Sequence, residues 1–191
     1  NTECGNYGKF PLGLFDKITD AESSEPNWHM AEKMTGGRYI SSIIYNAVSH
    51  AQTQRLFTGD VVIPYRAFAD TATISDFLTN PRNGSNRMHR CFYSESDRLL
   101  AREIAIEIID RAAKIGAVMA AAAMIKTGEG KNPAKPIGLV VEGTTFGKLF
   151  SYKEKFTRYL DEYTSERGLR YRIITGKNLN LMGTALAANL L

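Results

Sequence analysis

Ile137-Gly138-Leu139-Val140-Val141-Glu142-Gly143-Thr144-Thr145 is the stretch on which the fold class turns. A continuous apolar run of strand length stops at Glu142, and the glycine and two hydroxyl residues after it open a new element, so the order is strand, tight turn, helix. Downstream, Ser151 begins a helix with Tyr152, Phe156, Tyr159, Leu160 and Tyr163 on one face, a spacing that describes core packing and not a base-stacking platform. Gly168 ends that helix, Leu169 to Ile174 reads as a second strand, and Gly176 to Asn180 turns into a closing helix, Leu181 to Leu191. Strand, helix, strand, helix predicts parallel pairing in an α/β layer, with ligands at the carboxyl ends of the strands.

Upstream of the deciding stretch, Lys126 to Pro136 is a Gly-, Pro- and Lys-containing linker. Before it lies the longest helical block, capped by Ser94, Ser96 or Asp97 and running through Leu99, Ile104, Ile108 and Ile109 to the Ala-rich Gly116 to Met124. That last stretch is apolar on almost every side, so it is expected to be buried. Pro81 to Ser85 marks a surface loop, Thr71 to Ser75 a hydroxyl-rich turn, and Val61 to Ile63 a short strand. Apolar residues at three- and four-residue steps from Ala31 predict one amphipathic helix to about Gln54. Asn1 to Ser24, with Gly5, Gly8, Pro11 and Gly13, has no helical period and reads as a strand end followed by loop.

The 191 residues, 43% apolar and 23% charged, suffice for one good core and favour one domain. No run approaches the roughly 20 apolar residues of a membrane helix, and no signal peptide is evident, so the chain is expected to be cytoplasmic or a piece of a longer protein. A net charge of +4 comes from Lys and Arg scattered among nearly as many acids, which argues against a nucleic-acid partner. Cys4 and Cys91 lack metal-ligand spacing, and His29, His50 and His89 form no identifiable triad. No metal site is expected.

Several segments, in order, resemble the C-terminal half of the hexokinase and glucokinase family. Asn1-Thr2-Glu3-Cys4-Gly5 is similar to its Asn-Met-Glu-Trp-Gly segment, and Phe15-Asp16-Lys17-Ile18-Thr19-Asp20 to its Tyr/Phe-Asp-x-x-x-Asp stretch. Glu32-Lys33-Met34-Thr35-Gly36-Gly37-Arg38-Tyr39 resembles its Glu-Lys-Met-x-Ser-Gly-Met-Tyr motif. Arg111-Ala112-Ala113, Val141-Glu142-Gly143-Thr144 and Gly183-Thr184-Ala185-Leu186 look like its Arg-Ala-Ala helix, its Val-Asp-Gly-Ser/Thr turn and the opening of its last helix. No single motif decides; order and spacing carry the resemblance.

The resemblance implies a ribonuclease-H-like, actin-like ATPase α/β fold, with long helices packed on a mixed sheet. Residues 1–191 would be the large C-terminal lobe of a hexokinase. It implies phosphate transfer from ATP, as its Mg²⁺ complex, to the 6-hydroxyl of glucose or a related hexose. Glu3 and Glu32 fall at the sugar-binding positions, where ionised carboxylates accept hydroxyl hydrogen bonds with charge assistance. Residue chemistry alone leaves open a surface role for Glu3 and a helix-terminus role for Glu32.

Gly143, Thr144, Gly37, Arg38, Thr71, Ser75 and Asn180 fall at the family's ATP-contacting positions, where backbone amides and small hydroxyls meet phosphate. For Thr71 and Ser75 an ordinary Ser/Thr turn is the competing reading. The family's last nucleotide loop is rich in Gly and Ser, whereas this chain reads Asn178-Leu179-Asn180-Leu181-Met182. Leucine cannot replace glycine where backbone approaches phosphate closely. The family's catalytic Asp and its Asp-Leu-Gly-Gly-Thr phosphate segment belong to the smaller, N-terminal lobe, and neither pattern occurs in this sequence. The resemblance therefore implies a partner lobe and no turnover by this chain alone. A non-catalytic sugar-sensing module of the same fold is the alternative.

Overall fold

The computed structural model describes residues 3–59, 61–176 and 179–188. In chain order the main elements are α1 (Leu14–Ala21), α2 (Met30–Thr35), α3 (Gly37–Thr53), α4 (Thr71–Thr79), α5 (Glu95–Thr127), β1 (Ile137–Val140), α6 (Thr144–Lys148), α7 (Tyr152–Ser165), β2 (Tyr171–Ile174) and α8 (Leu179–Ala188). A 3-10 turn, Cys4–Asn6, precedes them.

The deciding stretch forms the predicted strand and helix start. β1 and β2 pair in parallel with Ile137 opposite Tyr171 and Val140 opposite Ile174, joined through α6 and α7. Among the described residues the sheet has these two strands only. α5 is the spine: Ser94 caps it by accepting the Asp97 N–H at 3.0 Å, and Gly128 ends it at φ 72. Its 33 residues span about 50 Å. Ala101, Ala105, Ile109, Ala112, Ala113, Ala117, Ala121 and Met124 form a buried stripe along it. Small side chains there bring α7 close. A Cβ on Gly116 would lie 3.0 Å from the Tyr152 hydroxyl and 3.4 Å from the Phe156 ring. Tyr152, Phe156 and Leu160 are buried in the same cluster, as the helical spacing required.

Five expectations need correction. The first is the unstructured start: α1 forms within it, and its buried residues are Asp16, Thr19 and Asp20. Its apolar residues Leu14, Phe15, Ile18 and Ala21 recur at three- and four-residue steps, but they lie on the less buried face and the polar face packs inward. Second, the helix from Ala31 to Gln54 breaks at Gly36, whose extended backbone (φ −73, ψ 135) separates α2 from α3. Third, Thr71 to Ser75 is not a turn but the first half of α4. Asp70 caps α4 by accepting the Thr73 N–H at 2.7 Å, and Ile74, Phe77 and Leu78 face the core. Fourth, Val61 to Ile63 alternates in burial like a strand but pairs with none; the Gln52 amide donates to the Val61 carbonyl instead. Fifth, the Ala-rich end of α5 is only partly buried. Val118 and Met119 are half-buried and Ile125 is 46% exposed.

Candidate functional site

Glu3 occupies a left-handed backbone conformation (φ 45) at the start of the 3-10 turn and is exposed. That turn lies directly on α2. A Cβ on Gly5 would come within 3.4 Å of the Glu32 Cβ and 3.6 Å of its Oε2, so the missing side chain permits the approach. Glu32 stands in the first turn of α2 with its side chain 59% exposed, its Oε2 4.0 Å from His29 Nδ1. The two expected sugar carboxylates therefore share one solvent-facing corner. Beside Glu3, a groove of about 490 Å³ runs between the turn and α5, lined by Tyr7, Phe10, Val118, Met119 and Lys126.

Two ion pairs, one buried and one with its carboxylate buried, hold this corner, and motif spacing alone did not reveal them. Arg111, on α5, grips Asp16 with both terminal nitrogens at 2.7 and 2.6 Å, while the Gly13 N–H donates to Asp16 at 2.8 Å. Lys33, the residue after Glu32, donates to Asp20 at 2.6 Å and to the Glu25 carbonyl at 2.5 Å. The Asn27 N–H closes on the same Asp20 carboxylate at 3.0 Å. With Lys33 fixed inward, Glu32 is set outward. The only sequence signal was the pair of acids in Phe15 to Asp20.

Burial alone would raise the Asp20 carboxyl. The Lys33 hydrogen bond, the Asn27 amide and the Lys33 charge outweigh it and hold Asp20 below its ordinary 3.8. Asp70, Asp97 and Asp110 are likewise lowered by hydrogen bonds and nearby cations that overcome burial. A depressed folded value gives stability that is complete above the ordinary carboxylate pKa and is lost as pH falls through the folded one. We expect the thermal midpoint to be level from neutrality to about pH 5 and to drop steeply below about pH 4. A midpoint that holds or rises between pH 5 and pH 3 would refute this account of the carboxylates.

The second corner gathers three of the expected nucleotide segments. At the start of α3, a Cβ on Gly37 would lie 2.5 Å from Thr145 Oγ1 and 3.3 Å from Thr71 Cγ2. The α3 start, the α4 start and the turn after β1 thus converge with room only for glycine. Gly143 precedes α6 at φ 124, a conformation open to glycine alone, and open space lies where its Cβ would be. Thr144 is the first residue of α6 and Arg38 is exposed on the first turn of α3.

Ser75 sits where α4 meets the α6–α7 corner. Its hydroxyl donates to the Lys148 carbonyl at 3.2 Å and accepts the Phe150 N–H at 3.0 Å, tying α4 to the α6–α7 corner. Glu142 accepts the Leu179 N–H and so caps α8, joining the turn after β1 to the last helix. α8 begins at Leu179, so Asn180 lies within a helix and not in a turn; Asn178 and the Asn180 side chain lie outside the described residues. Leu181 and Met182 are 68% and 57% exposed. Cys91 is buried, its thiol pushed up to about 11 by desolvation, the signature of an inert cysteine. No helix among the described residues is long and apolar enough to cross a membrane.

This chain is 26% identical over 216 aligned residues to a hexokinase of Brugia malayi, covering all of the chain and 36% of the relative. Its fold matches that of a glucose-complexed hexokinase from Schistosoma mansoni with a TM-score of 0.75, over 92% of the chain and 41% of that protein, at 18% identity. A second hexokinase crystal structure matches with a TM-score of 0.71, over 93% of the chain and 40% of that protein, at 19% identity. The chain thus spans about two fifths or less of the length of these proteins. At such identities the superpositions establish the fold, the ribonuclease-H-like, actin-like α/β class expected from the sequence. The family model described as hexokinase matches residues 1–190, the same span over which the motifs run in order, and the chain belongs to the hexokinase family.

Proposed function

We propose that residues 1–191 are the large C-terminal lobe of an ATP-dependent hexokinase, which binds the hexose through Glu3 and Glu32 and part of the nucleotide through Gly37, Thr71, Gly143 and Thr144. One observation carries the reading. The Glu3 and Glu32 corner and the Gly37, Thr71 and Thr145 corner lie at the two ends of one six-residue helix, α2, as transfer between bound sugar and bound phosphate requires. In the intact protein the 6-hydroxyl of glucose attacks the γ-phosphorus of Mg²⁺-bound ATP, its proton passes to a carboxylate of the smaller lobe, and ADP leaves. This chain supplies sugar orientation and phosphate positioning; without the second lobe it does not turn over.

The test is hexose 6-phosphate formation by the full-length protein with MgATP and glucose. Turnover supports the kinase. Glucose binding without turnover favours the sensing module, a reading motivated by the helical Leu179–Met182 segment in place of a glycine-rich loop. The nucleotide half has its own variant. Gly37→Val forces Thr145 and Thr71 aside, and kcat/KM for ATP is expected to fall about 10²-fold with the glucose KM unchanged. An unaltered ATP dependence would remove this corner from the nucleotide site.

A further inference from the structure

A second groove, which shares no lining residue with either corner, lies between the chain at Val62 to Ala67 and the 3-10 turn His89–Cys91. It encloses about 500 Å³ and is lined by Val62, Pro64, Arg66, Arg87, Arg90 and Cys91. We propose that it binds a small phosphate-bearing molecule.

The charge balance is the first reason. Elsewhere Arg82, Arg102, Arg158 and Arg167 each sit against a carboxylate. Here three guanidiniums line one groove, and among the described residues only that of Arg87 pairs with an acid, Asp70. Arg87 donates to Asp70 and, at 2.7 Å, to the Thr73 hydroxyl, and Asp70 already accepts the Thr73 N–H. Arg90 spends its Nε on the Gly84 carbonyl at 3.1 Å, leaving its terminal nitrogens for the groove. Arg66 makes no ion pair among the described residues. Arg87 and Arg90 are thus held in place before any ligand arrives, which lowers the ordering cost of binding.

Chemistry and size then select the ligand. Guanidinium forks match the oxygens of a phosphate bidentately, and several together outcompete water for a dianion. Val62 is 69% exposed and, with Pro64, forms an apolar wall against which an organic group can lie. The volume falls within the range of small-molecule sites, about 300–1,000 Å³. The groove shares no lining residue with the Gly37, Thr71 and Thr145 corner.

The experiment is a 31P NMR titration of the full-length protein with inorganic phosphate and, separately, with phenyl phosphate, at constant ionic strength. We expect saturable binding of at least one of them, weakened tenfold or more by the double variant Arg66→Ala, Arg90→Ala. Both side chains are exposed, and circular dichroism checks that the variant is folded. Tighter binding of phenyl phosphate, lost in Val62→Ser, identifies an ester as the ligand; equal affinities identify the free ion. Binding should survive in Gly37→Val, which separates this groove from the nucleotide corner. Absence of saturation, or an affinity that the double arginine variant leaves unchanged, overturns the proposal.

Discussion

Replacing Glu32 with alanine in the full-length protein is expected to lower kcat/KM for glucose by about 10²–10⁴-fold. A carboxylate that accepts two sugar hydroxyls makes two charge-assisted hydrogen bonds, each worth about 1.5–3 kcal/mol net. Their joint loss is roughly 3–6 kcal/mol, which converts to the stated range. Glu32→Gln keeps the shape and one acceptor oxygen and should lose less. The split between parameters is informative: contacts equal in the bound sugar and the transition state raise KM alone, whereas loss of positioning at the 6-hydroxyl lowers kcat as well. Folding should be untouched. The Glu32 side chain is 59% exposed, and His29 Nδ1 lies 4.0 Å from its Oε2. A thermal midpoint that falls together with activity would give Glu32 a structural role and count against the sugar assignment.

Arg111→Met is expected to be among the most destabilising single changes in this chain. Asp16 is 2% exposed at its side chain and receives both terminal guanidinium nitrogens, so methionine leaves a buried carboxylate with the Gly13 N–H as its remaining donor. Removing one partner of a buried pair typically costs 3–5 kcal/mol. Arg111 is itself 36% exposed, which places the cost near the lower end, about 3 kcal/mol. For a domain of this size that lowers the thermal midpoint by roughly 10 °C. Asp16→Asn combined with Arg111→Met should recover part of the loss, because no charge is then stranded. A single variant as stable as the parent would mean that the pair does not hold α1 to α5.

Much of the fold was legible because it is written in local patterns. The β1 run ending at Glu142-Gly143, the Ser94 cap of α5, the aromatic stripe of α7 and the second strand each have a signal within one element. What escaped depends on distant partners. α1 turns Asp16 and Asp20 inward because Arg111 and Lys33 wait there, and the short period of Leu14, Phe15, Ile18 and Ala21 is overshadowed by the glycines and proline that precede it. Val61 to Ile63 has the alternation of a strand, but pairing is decided by what lies beside it. The signal for α4 was present in Ile74, Phe77 and Leu78, outweighed by the hydroxyls around Thr71.

The candidate site divides the same way. Glu3, Glu32, Gly37 and Gly143 were named from motifs, and the structure gives Gly5 and Gly37 their steric reason. Ser75, expected near phosphate, also bonds the Lys148 and Phe150 backbone, a contact between distant segments that no motif announces. Asn180 was named within a loop and lies in α8.

Hydrogen–deuterium exchange of the full-length protein with and without glucose tests the central claim most directly. The sugar should slow exchange across residues 3–7 and 29–36, the 3-10 turn and α2, with Glu32→Ala abolishing that protection. Glucose binding that protects other segments and leaves both of these unchanged would contradict the assignment of Glu3 and Glu32 to the sugar.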